Sequence, residues 1–316
     1  MSFFVEIDEK DTRQIDYLSP SSLDCFARCP AKFCFAKVMR LEKQNSYKTP
    51  LIFGKCIHAG IYAAYDDPDY AGEIFNDLWR QEGGDSLNDD SRNPTSALLM
   101  YQAFYQFHKA KMYIPLSPPG GITITKERYN DFEAPVMVDL GGAYPLYGKI
   151  DRLVKWNDHI FPLDYKTSSM ITDNTCQNFN VCTQTLAYTL MASVLYSSIL
   201  KGILYEFLRV TKKETSHETY LHPVYVRDHW LKTFIEWYIY QSNLIKKMLD
   251  EKRFHKNPSA CAAYGQYGIH GYPCEFADLC EAEDWRDMIK YFDRNDFNPL
   301  DGIDEKEIKI LSAKGE

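Results

Sequence analysis

Residues 147–166, YGKIDRLVKWNDHIFPLDYK, contain two aspartates and a lysine at a spacing that could hold a divalent metal ion. The pattern predicts two short strands joined by a polar turn at 156–159. Because side chains alternate along a strand, Asp164 and Lys166 share one face of the second strand, and Asp151 lies on the first. Neighbouring strands would then bring the three charged side chains to one place.

Carboxylate oxygens are ligands that Mg²⁺ and Mn²⁺ prefer in proteins. A bound metal polarises a phosphoryl group and lowers the pKa of a coordinated water, while a nearby lysine orients that water or stabilises negative charge. The charged cluster therefore predicts metal-assisted hydrolysis of a phosphodiester. The alternative is an ordinary hairpin with an Asp/Lys pair on its surface, since the tripeptide D-x-K occurs by chance in most chains.

Further motifs accompany this hairpin along the chain, and their order narrows the interpretation. They are Cys29-Pro30, FGKCIH at 53–58, GKIDR at 148–152, LDYKTS at 163–168, QTLAY at 184–188, and the cysteines Cys261, Cys274 and Cys280. Over about residues 18–282, the series resembles the RecB-like branch of the PD-(D/E)XK nuclease superfamily, which includes the AddB nuclease domain and the CRISPR-associated RecB-family exonucleases. The resemblance implies an α/β fold, in which a restriction-endonuclease-like mixed sheet is flanked by helices and an iron-sulfur cluster joins the N- and C-terminal segments.

The resemblance also implies roles for individual residues. His58 matches the early histidine motif and would bind Mg²⁺ or Mn²⁺ with Asp151 and Asp164. The backbone carbonyl of Tyr165 would complete the ligand set, and Lys166 would position or activate the attacking water. Without the resemblance, a lone histidine on a largely apolar helix is more often a hydrogen-bonded core residue.

Two further sites are implied by the same resemblance. Gln184 and Tyr188 lie four residues apart on a helix predicted at 177–200, so they project from one face and would contact the nucleic-acid substrate. Glu127, on a strand predicted at 122–129, is an additional candidate for the active site. An exposed strand glutamate is the alternative at that position.

The nine cysteines, in a chain where we expect no secretory signal, indicate a reducing compartment rather than a disulfide framework. By resemblance, four thiolates would hold a [4Fe-4S] cluster, with Zn²⁺ as the alternative. They are Cys29, Cys261, Cys274 and Cys280. Cys25 competes with Cys29 for the first position, and twelve residues separate Cys261 from Cys274 where the family pattern often has two.

Composition and charge bound the class of protein. Of the 316 residues, 45% are hydrophobic and 25% are charged, which is typical of a globular protein with a buried core. The net charge of -8 disfavours a protein that coats nucleic acid non-specifically. A DNA enzyme stays open, because bound metals offset carboxylates and local basic runs could line a groove.

The predicted organisation is a single nuclease domain at 18–284 between a lead-in at 1–17 and a charged tail at 285–316. Within the domain we predict three parts: a helical insertion at about 66–118, the nuclease core at about 119–226, and a C-terminal helix with the cysteine region at 227–284. We expect neither a signal peptide nor a transmembrane helix, no membrane association and a cytoplasmic location.

The sequence therefore predicts a metal-dependent DNA nuclease that acts from the ends of single-stranded DNA in end processing or recombination. The chain has no G-x-x-x-x-G-K-[ST] phosphate loop, so a helicase or recombination partner would have to supply unwinding. The alternatives are a non-catalytic DNA-end-binding or scaffold subunit of a recombination complex, and a nuclease of the same fold that acts on RNA or branched DNA.

Overall fold

The computed structural model of the chain describes residues 3–44, 49–87, 89–109, 113–116, 134–196, 198, 200–211, 217–261, 274–295 and 309–312. Its strands are β1 (Phe4–Glu6), β2 (Leu41–Lys43), β3 (Ile114–Leu116), β4 (Ala134–Asp139), β5 (Leu146–Ile150), β6 (Arg152–Trp156), β7 (His159–Ser168), β8 (Gly202–Arg209), β9 (Thr219–Tyr225), β10 (Arg253–His255), β11 (Phe292–Arg294) and β12 (Lys309–Ser312).

The α-helices are α1 (Pro20–Arg28), α2 (Pro30–Phe33), α3 (Thr49–Ile61), α4 (Pro68–Gln81), α5 (Pro94–His108), α6 (Asp173–Gln177), α7 (Thr183–Leu195), α8 (Asp228–Asp250) and α9 (Ala277–Glu281). Helix α1 begins with a reciprocal capping box formed by Ser19 and Ser22, and Pro20 occupies its first turn. Within the described residues, no helix combines the length and apolar character needed to cross a membrane.

The chain divides into two compact units. The first comprises Met1–Ser46, Met137–Tyr147 and Lys232–Glu316, and the second comprises Tyr47–Val136 and Gly148–Leu231. The prediction of one domain at 18–284 remains a prediction. Every described candidate residue for phosphodiester chemistry lies in the second unit, and the four candidate cluster cysteines lie in the first.

In the first unit, segments from both ends of the sequence pair with each other. Strand β1 pairs antiparallel with β10, and β2 pairs antiparallel with β11. The segments predicted as a lead-in and a peripheral tail thus contribute strands to this unit. Trp285 is buried, and its indole N–H donates to the Glu6 carbonyl over 3.2 Å.

The second unit contains a five-stranded mixed sheet in the described residues, with the order β3-β6-β7-β8-β9. Strands β7 and β8 are parallel, and the other neighbouring pairs are antiparallel. The predicted hairpin is confirmed: β6 and β7 are joined by Asn157 and Asp158, whose φ angles of 46° and 63° suit a tight two-residue turn. Pro162 is tolerated inside β7 because pairing with β8 begins only at Leu163.

The structure differs from the predicted first strand at Asp151. A continuous strand was expected through this residue, but the chain bends there, between the end of β5 at Ile150 and the start of β6 at Arg152. The Asp151 carboxylate accepts a hydrogen bond from the backbone of β7, and the Asp151 carbonyl accepts one from the Tyr62 hydroxyl. These side-chain and backbone contacts replace the ladder that a regular strand would continue.

The helix predicted at 177–200 is also shorter than expected. Helix α6 ends at Gln177, and α7 begins only at Thr183 because Cys182 caps it, with its sulfur accepting from the Thr185 N–H over 3.5 Å. Helix α7 passes close to β5 at Gly148. A Cβ there would lie 2.6 Å from Met191 Cε and 3.1 Å from Tyr188 Cε1, so the glycine leaves room for the helix.

The two faces of the five-stranded sheet bury different clusters. Tyr165, Leu204 and their neighbours pack against helices α3, α4 and α5 in a large apolar core. The opposite face carries Tyr205 and Phe207, which pack with residues of α6 and with Phe179 from the loop that follows it. Strand β7 therefore contributes side chains to both faces near the middle of the sheet.

Candidate active site

Asp151 and Asp164, the two predicted carboxylates, lie close to the same peptide unit of β7. Asp151 is 5% exposed and Asp164 is 2% exposed, so both side chains are almost fully shielded from water. Buried carboxylates need partners, because removing an isolated charge from water is costly. The partners of these two aspartates define the candidate site.

Asp151 and His58 both contact the backbone of Tyr165. The Tyr165 N–H donates to Asp151 Oδ2 over 3.0 Å, and His58 Nε2 lies 3.0 Å from the Tyr165 carbonyl oxygen. His58 Nδ1 is 3.5 Å from Asp151 Oδ2. Helix α3 thus brings the predicted histidine to the predicted carboxylate and carbonyl.

Asp164 has different contacts on its two oxygens. Gln184 on α7 donates from Nε2 to Asp164 Oδ1 over 2.8 Å. Lys166 Nζ forms an ion pair with Asp164 Oδ2 at 2.6 Å. That oxygen is buried and accepts no directed hydrogen bond within the described part of the chain.

The donor set suits a hard divalent cation. Adjacent ligands of an octahedral Mg²⁺ at about 2.1 Å are roughly 3 Å apart, and His58 Nε2 and the Tyr165 carbonyl oxygen are separated by 3.0 Å. Asp164 Oδ2 is a buried oxygen with unused acceptor capacity. Across the described ranges, however, no group of three His, Cys, Asp or Glu side chains converges as a metal site, and Asp164 is paired with Lys166.

Of the two remaining predicted site residues, the structure describes Tyr188 and not Glu127. Tyr188 lies on α7 one turn beyond Gln184 and packs beside the cluster that contains Tyr205 and Phe207. The Tyr188 ring also lies close to Gly148 on β5. Glu127 and its predicted strand at 122–129 lie outside the described residues.

A buried polar network lies behind the site, on the face of the sheet opposite Asp164. The Tyr165 hydroxyl is 2.7 Å from the Tyr65 hydroxyl, which in turn contacts the Tyr113 hydroxyl. Tyr113 donates to Glu206 Oε2 over 2.7 Å, and His108 Nε2 lies 2.6 Å from Glu206 Oε1. Burial raises the pKa of all three tyrosines, so their hydroxyls stay protonated.

Arg152 and Tyr62 connect this network to Asp151. The Arg152 guanidinium carbon lies 4.4 Å from the centre of the Tyr65 ring and 5.6 Å from that of Tyr62. The Tyr62 hydroxyl donates to the Asp151 carbonyl. We did not predict the residues of this network from the sequence, although Glu206 amid the apolar residues of strand β8 was a signal that a buried partner is required.

The candidate cluster cysteines occupy the first unit. All nine cysteines are described and all are free. The pKa of Cys280 is raised to about 12, mainly by burial and to a smaller extent by Cys261 and Cys29. Cys29 also raises the pKa of Cys274 and of Cys261, in both cases after burial as the larger cause. The structure therefore brings Cys29 into electrostatic range of all three C-terminal thiols.

Cys25, the rival of Cys29, has a different environment. Its pKa is raised to about 11, mainly by burial, while Lys32 and Lys37 lower it and Cys29 raises it. Ion pairs hold the N-terminal helices to the cysteine region, with Lys32 Nζ 3.2 Å from Glu275 and Lys43 Nζ 2.6 Å from Asp278. Among the described residues, which include all four candidate cysteines, no three of these thiols converge as a metal site, so the cluster stays a prediction.

Comparison with protein families identifies the class. Residues 17–281 match the PD-(D/E)XK nuclease superfamily, and the chain belongs to that superfamily. The family supports nuclease activity, the hydrolysis of phosphodiesters, and implies DNA as the substrate.

The solved structures that resemble this chain include a protein from Eubacterium rectale whose assignment as an exonuclease is itself provisional. The two chains are 12% identical, the match covers 84% of this chain and 94% of the other, and the TM-score is 0.48. No curated protein matches the sequence significantly.

Proposed function

We propose that this chain is a metal-dependent deoxyribonuclease of the RecB-like branch that degrades single-stranded DNA from its ends. The observation that carries the proposal is that His58 and Asp151 contact the backbone of Tyr165, while Asp164 and Lys166, its two chain neighbours, form an ion pair. Asp164 and Asp151 are both buried, and Asp164 pairs with the partly exposed Lys166. Stability of the fold alone does not require this arrangement, because burying charged groups is costly.

His58, Asp151, Asp164 and the Tyr165 carbonyl would hold Mg²⁺ or Mn²⁺. When bound, the metal would polarise the scissile phosphate and lower the pKa of a water. Lys166, whose side chain is 25% exposed, can reach a phosphate or a water while its charge is anchored by Asp164. Its ammonium would orient the nucleophile and stabilise negative charge that develops on the phosphoryl oxygens.

The four cysteines Cys29, Cys261, Cys274 and Cys280 would hold a [4Fe-4S] cluster, with Zn²⁺ as the alternative. The electrostatic influence of Cys29 on the other three thiols supports this set over one that contains Cys25. Phosphodiester hydrolysis transfers no electron, so the cluster would be structural. Nine free cysteines fit a reducing compartment, and we place the protein in the cytoplasm.

The biological role follows from the proposed substrate. An end-dependent nuclease suits DNA end processing or recombination, together with a helicase or recombination partner that supplies single strands. Gln184 and Tyr188 would steady the strand at the cleavage site. Glu127 would be an additional member of that site.

The test compares substrates with anaerobically purified protein and Mn²⁺. We expect loss of end-labelled linear single-stranded DNA, with circular single-stranded DNA, duplex DNA and RNA of matched sequence degraded more slowly. Cleavage of the circle at the same rate would contradict end dependence, and preferential cleavage of RNA would reassign the substrate. Binding of DNA ends without any cleavage would instead favour a non-catalytic scaffold.

A further inference from the structure

We propose that the sheet face beside Lys166 continues into a surface on which the unpaired bases of a nucleic-acid strand stack. This stacking surface ends at His222 and Tyr220 on β9. The inference rests on the proposed function, because it takes Asp164 and Lys166 as the place of cleavage. Its occupant is a single strand, whose bases have free faces, rather than a duplex, whose bases are stacked on each other.

The register of the sheet places these side chains on one face. Residues directly opposite each other on neighbouring strands point to the same side of a sheet. Two rows therefore cross from β7 through β8 to β9. One row is Asp164, Tyr205 and His222, and the next is Lys166, Phe207 and Tyr220.

Aromatic rings begin directly at the lysine. Lys166 Nζ lies 5.9 Å from the ring centre of Phe179 and 5.9 Å from that of Tyr205. The Phe179 ring is 4.7 Å from Tyr205 and 5.5 Å from Phe207. The candidate active site thus borders a cluster of aromatic rings.

The ring contacts continue to the last strand of the sheet. Phe207 and His222 have ring centres 6.4 Å apart. His222 and Tyr220 are also 6.4 Å apart, and their planes differ by only 21°, so the two rings are nearly parallel. An unbroken series of ring contacts therefore connects Lys166 with Tyr220.

The aromatic rings become more exposed with distance from Lys166, as a surface that binds a ligand requires. Tyr205 and Phe207 are buried and belong to the core. Phe179 and His222 are half-buried, and Tyr220 is 46% exposed. The accessible rings thus lie at the outer end of the series, where successive bases of a strand that leaves the active site could stack.

A cation on the same face complements the rings. Arg209 follows Phe207 by two positions on β8 and lies opposite Ser168, so it points to the same side as Lys166. Its side chain is 37% exposed and forms a long ion pair with Glu218 at 3.4 Å. Rings that stack on bases and cations that meet phosphates are the combination that binds single strands with little sequence preference.

The experiment measures the Kd of a labelled short oligothymidylate for the full-length protein by fluorescence anisotropy, in EDTA to prevent cleavage. We expect Tyr220→Ala to raise the Kd about fivefold or more, the factor that corresponds to about 1 kcal/mol of lost stacking. Tyr220→Phe should bind like the wild type because it keeps the ring. The matched control is Tyr225→Ala, since Tyr225 is an exposed aromatic of the same strand on the opposite face.

A second probe tests the proposal without any variant. In an oligonucleotide of equal length whose central residues are abasic, the phosphates remain and the bases are missing. The wild type should bind this probe more weakly than oligothymidylate, and Tyr220→Ala should add no further loss. Equal wild-type affinity for both probes would overturn the stacking surface, as would unchanged binding of oligothymidylate by Tyr220→Ala.

Cleavage assays on the same proteins with Mn²⁺ separate this inference from the proposed function. If the surface holds the strand, Tyr220→Ala should raise KM and leave kcat unchanged, because the lost contact is made equally in the ground and transition states. Normal KM with active cleavage would overturn the surface while the nuclease stands. Ring-dependent binding by a protein that cleaves nothing would support the surface and refute the nuclease.

Discussion

Asp164 is held by two groups with different chemistry. Gln184 donates a neutral hydrogen bond to Oδ1, and Lys166 forms an ion pair with Oδ2. The family resemblance gives Gln184 a substrate contact, whereas in the structure its partner is a candidate metal ligand. Ligating carboxylates are commonly oriented by such hydrogen bonds, so Gln184 has the geometry of a positioning residue.

We predict that Gln184→Ala lowers the affinity for Mn²⁺ by about 10- to 100-fold, because Asp164 loses the donor that fixes its orientation. Isothermal titration calorimetry with Mn²⁺ measures this directly. Gln177→Ala is the control, since Gln177 is exposed at the end of α6. Unchanged Mn²⁺ affinity together with a raised KM for DNA would return Gln184 to a purely substrate-binding role.

Strand β7 is positioned from its other face by the network of Tyr165, Tyr65, Tyr113, Glu206 and His108. The same residue, Tyr165, supplies the N–H that Asp151 accepts and the carbonyl that faces His58. A shift of Tyr165 would therefore disturb the contacts of both Asp151 and His58. The network therefore fixes the position of β7 at Tyr165.

We predict that Glu206→Ala reduces the free energy of unfolding by about 3 kcal/mol or more, because His108 and Tyr113 lose their buried acceptor. Urea denaturation followed by circular dichroism is the measurement. Glu218→Ala removes an exposed glutamate whose ion pair is long, so its cost should stay within about 1 kcal/mol. Similar losses for the two variants would show that the network does not stabilise the fold.

Alternation and turn chemistry were enough to predict the hairpin of β6 and β7 and the shared face of Asp164 and Lys166. The bend at Asp151 was not predictable, because it depends on hydrogen-bond donors from the backbone of β7 and from the Tyr62 hydroxyl. Similarly, the helix predicted at 177–200 is interrupted after Gln177, and Cys182 supplies a local N-cap from which α7 starts again. Long-range hydrogen bonds leave no periodicity in a sequence.

At the scale of the whole chain, the first unit joins both ends of the sequence. Strands β1 and β2 pair with β10 and β11, and Asn257 donates to the Arg28 carbonyl over 2.7 Å, next to Cys29. A cluster held by Cys29 and three C-terminal cysteines would reinforce an arrangement that backbone pairing already begins. Its loss should then weaken this unit.

We predict that Cys29→Ser abolishes iron binding, whereas Cys25→Ser retains it, because Cys29 influences all three C-terminal thiols. Iron and sulfide content with the visible absorption of anaerobically purified protein are the readouts. Zinc in place of iron in the wild type would identify the alternative metal. Iron retained by Cys29→Ser but lost from Cys25→Ser would reverse the assignment.

Cleavage of end-labelled single-stranded DNA in Mn²⁺ by wild type and by Lys166→Ala, with circular dichroism to verify folding, tests the proposed nuclease directly. We predict that the wild type degrades the strand and that the substitution slows cleavage by at least about 100-fold, since the ammonium would stabilise charge only in the transition state. Equal cleavage by both proteins would show that Lys166 has no catalytic role, and no cleavage by the fully metallated wild type would refute the nuclease.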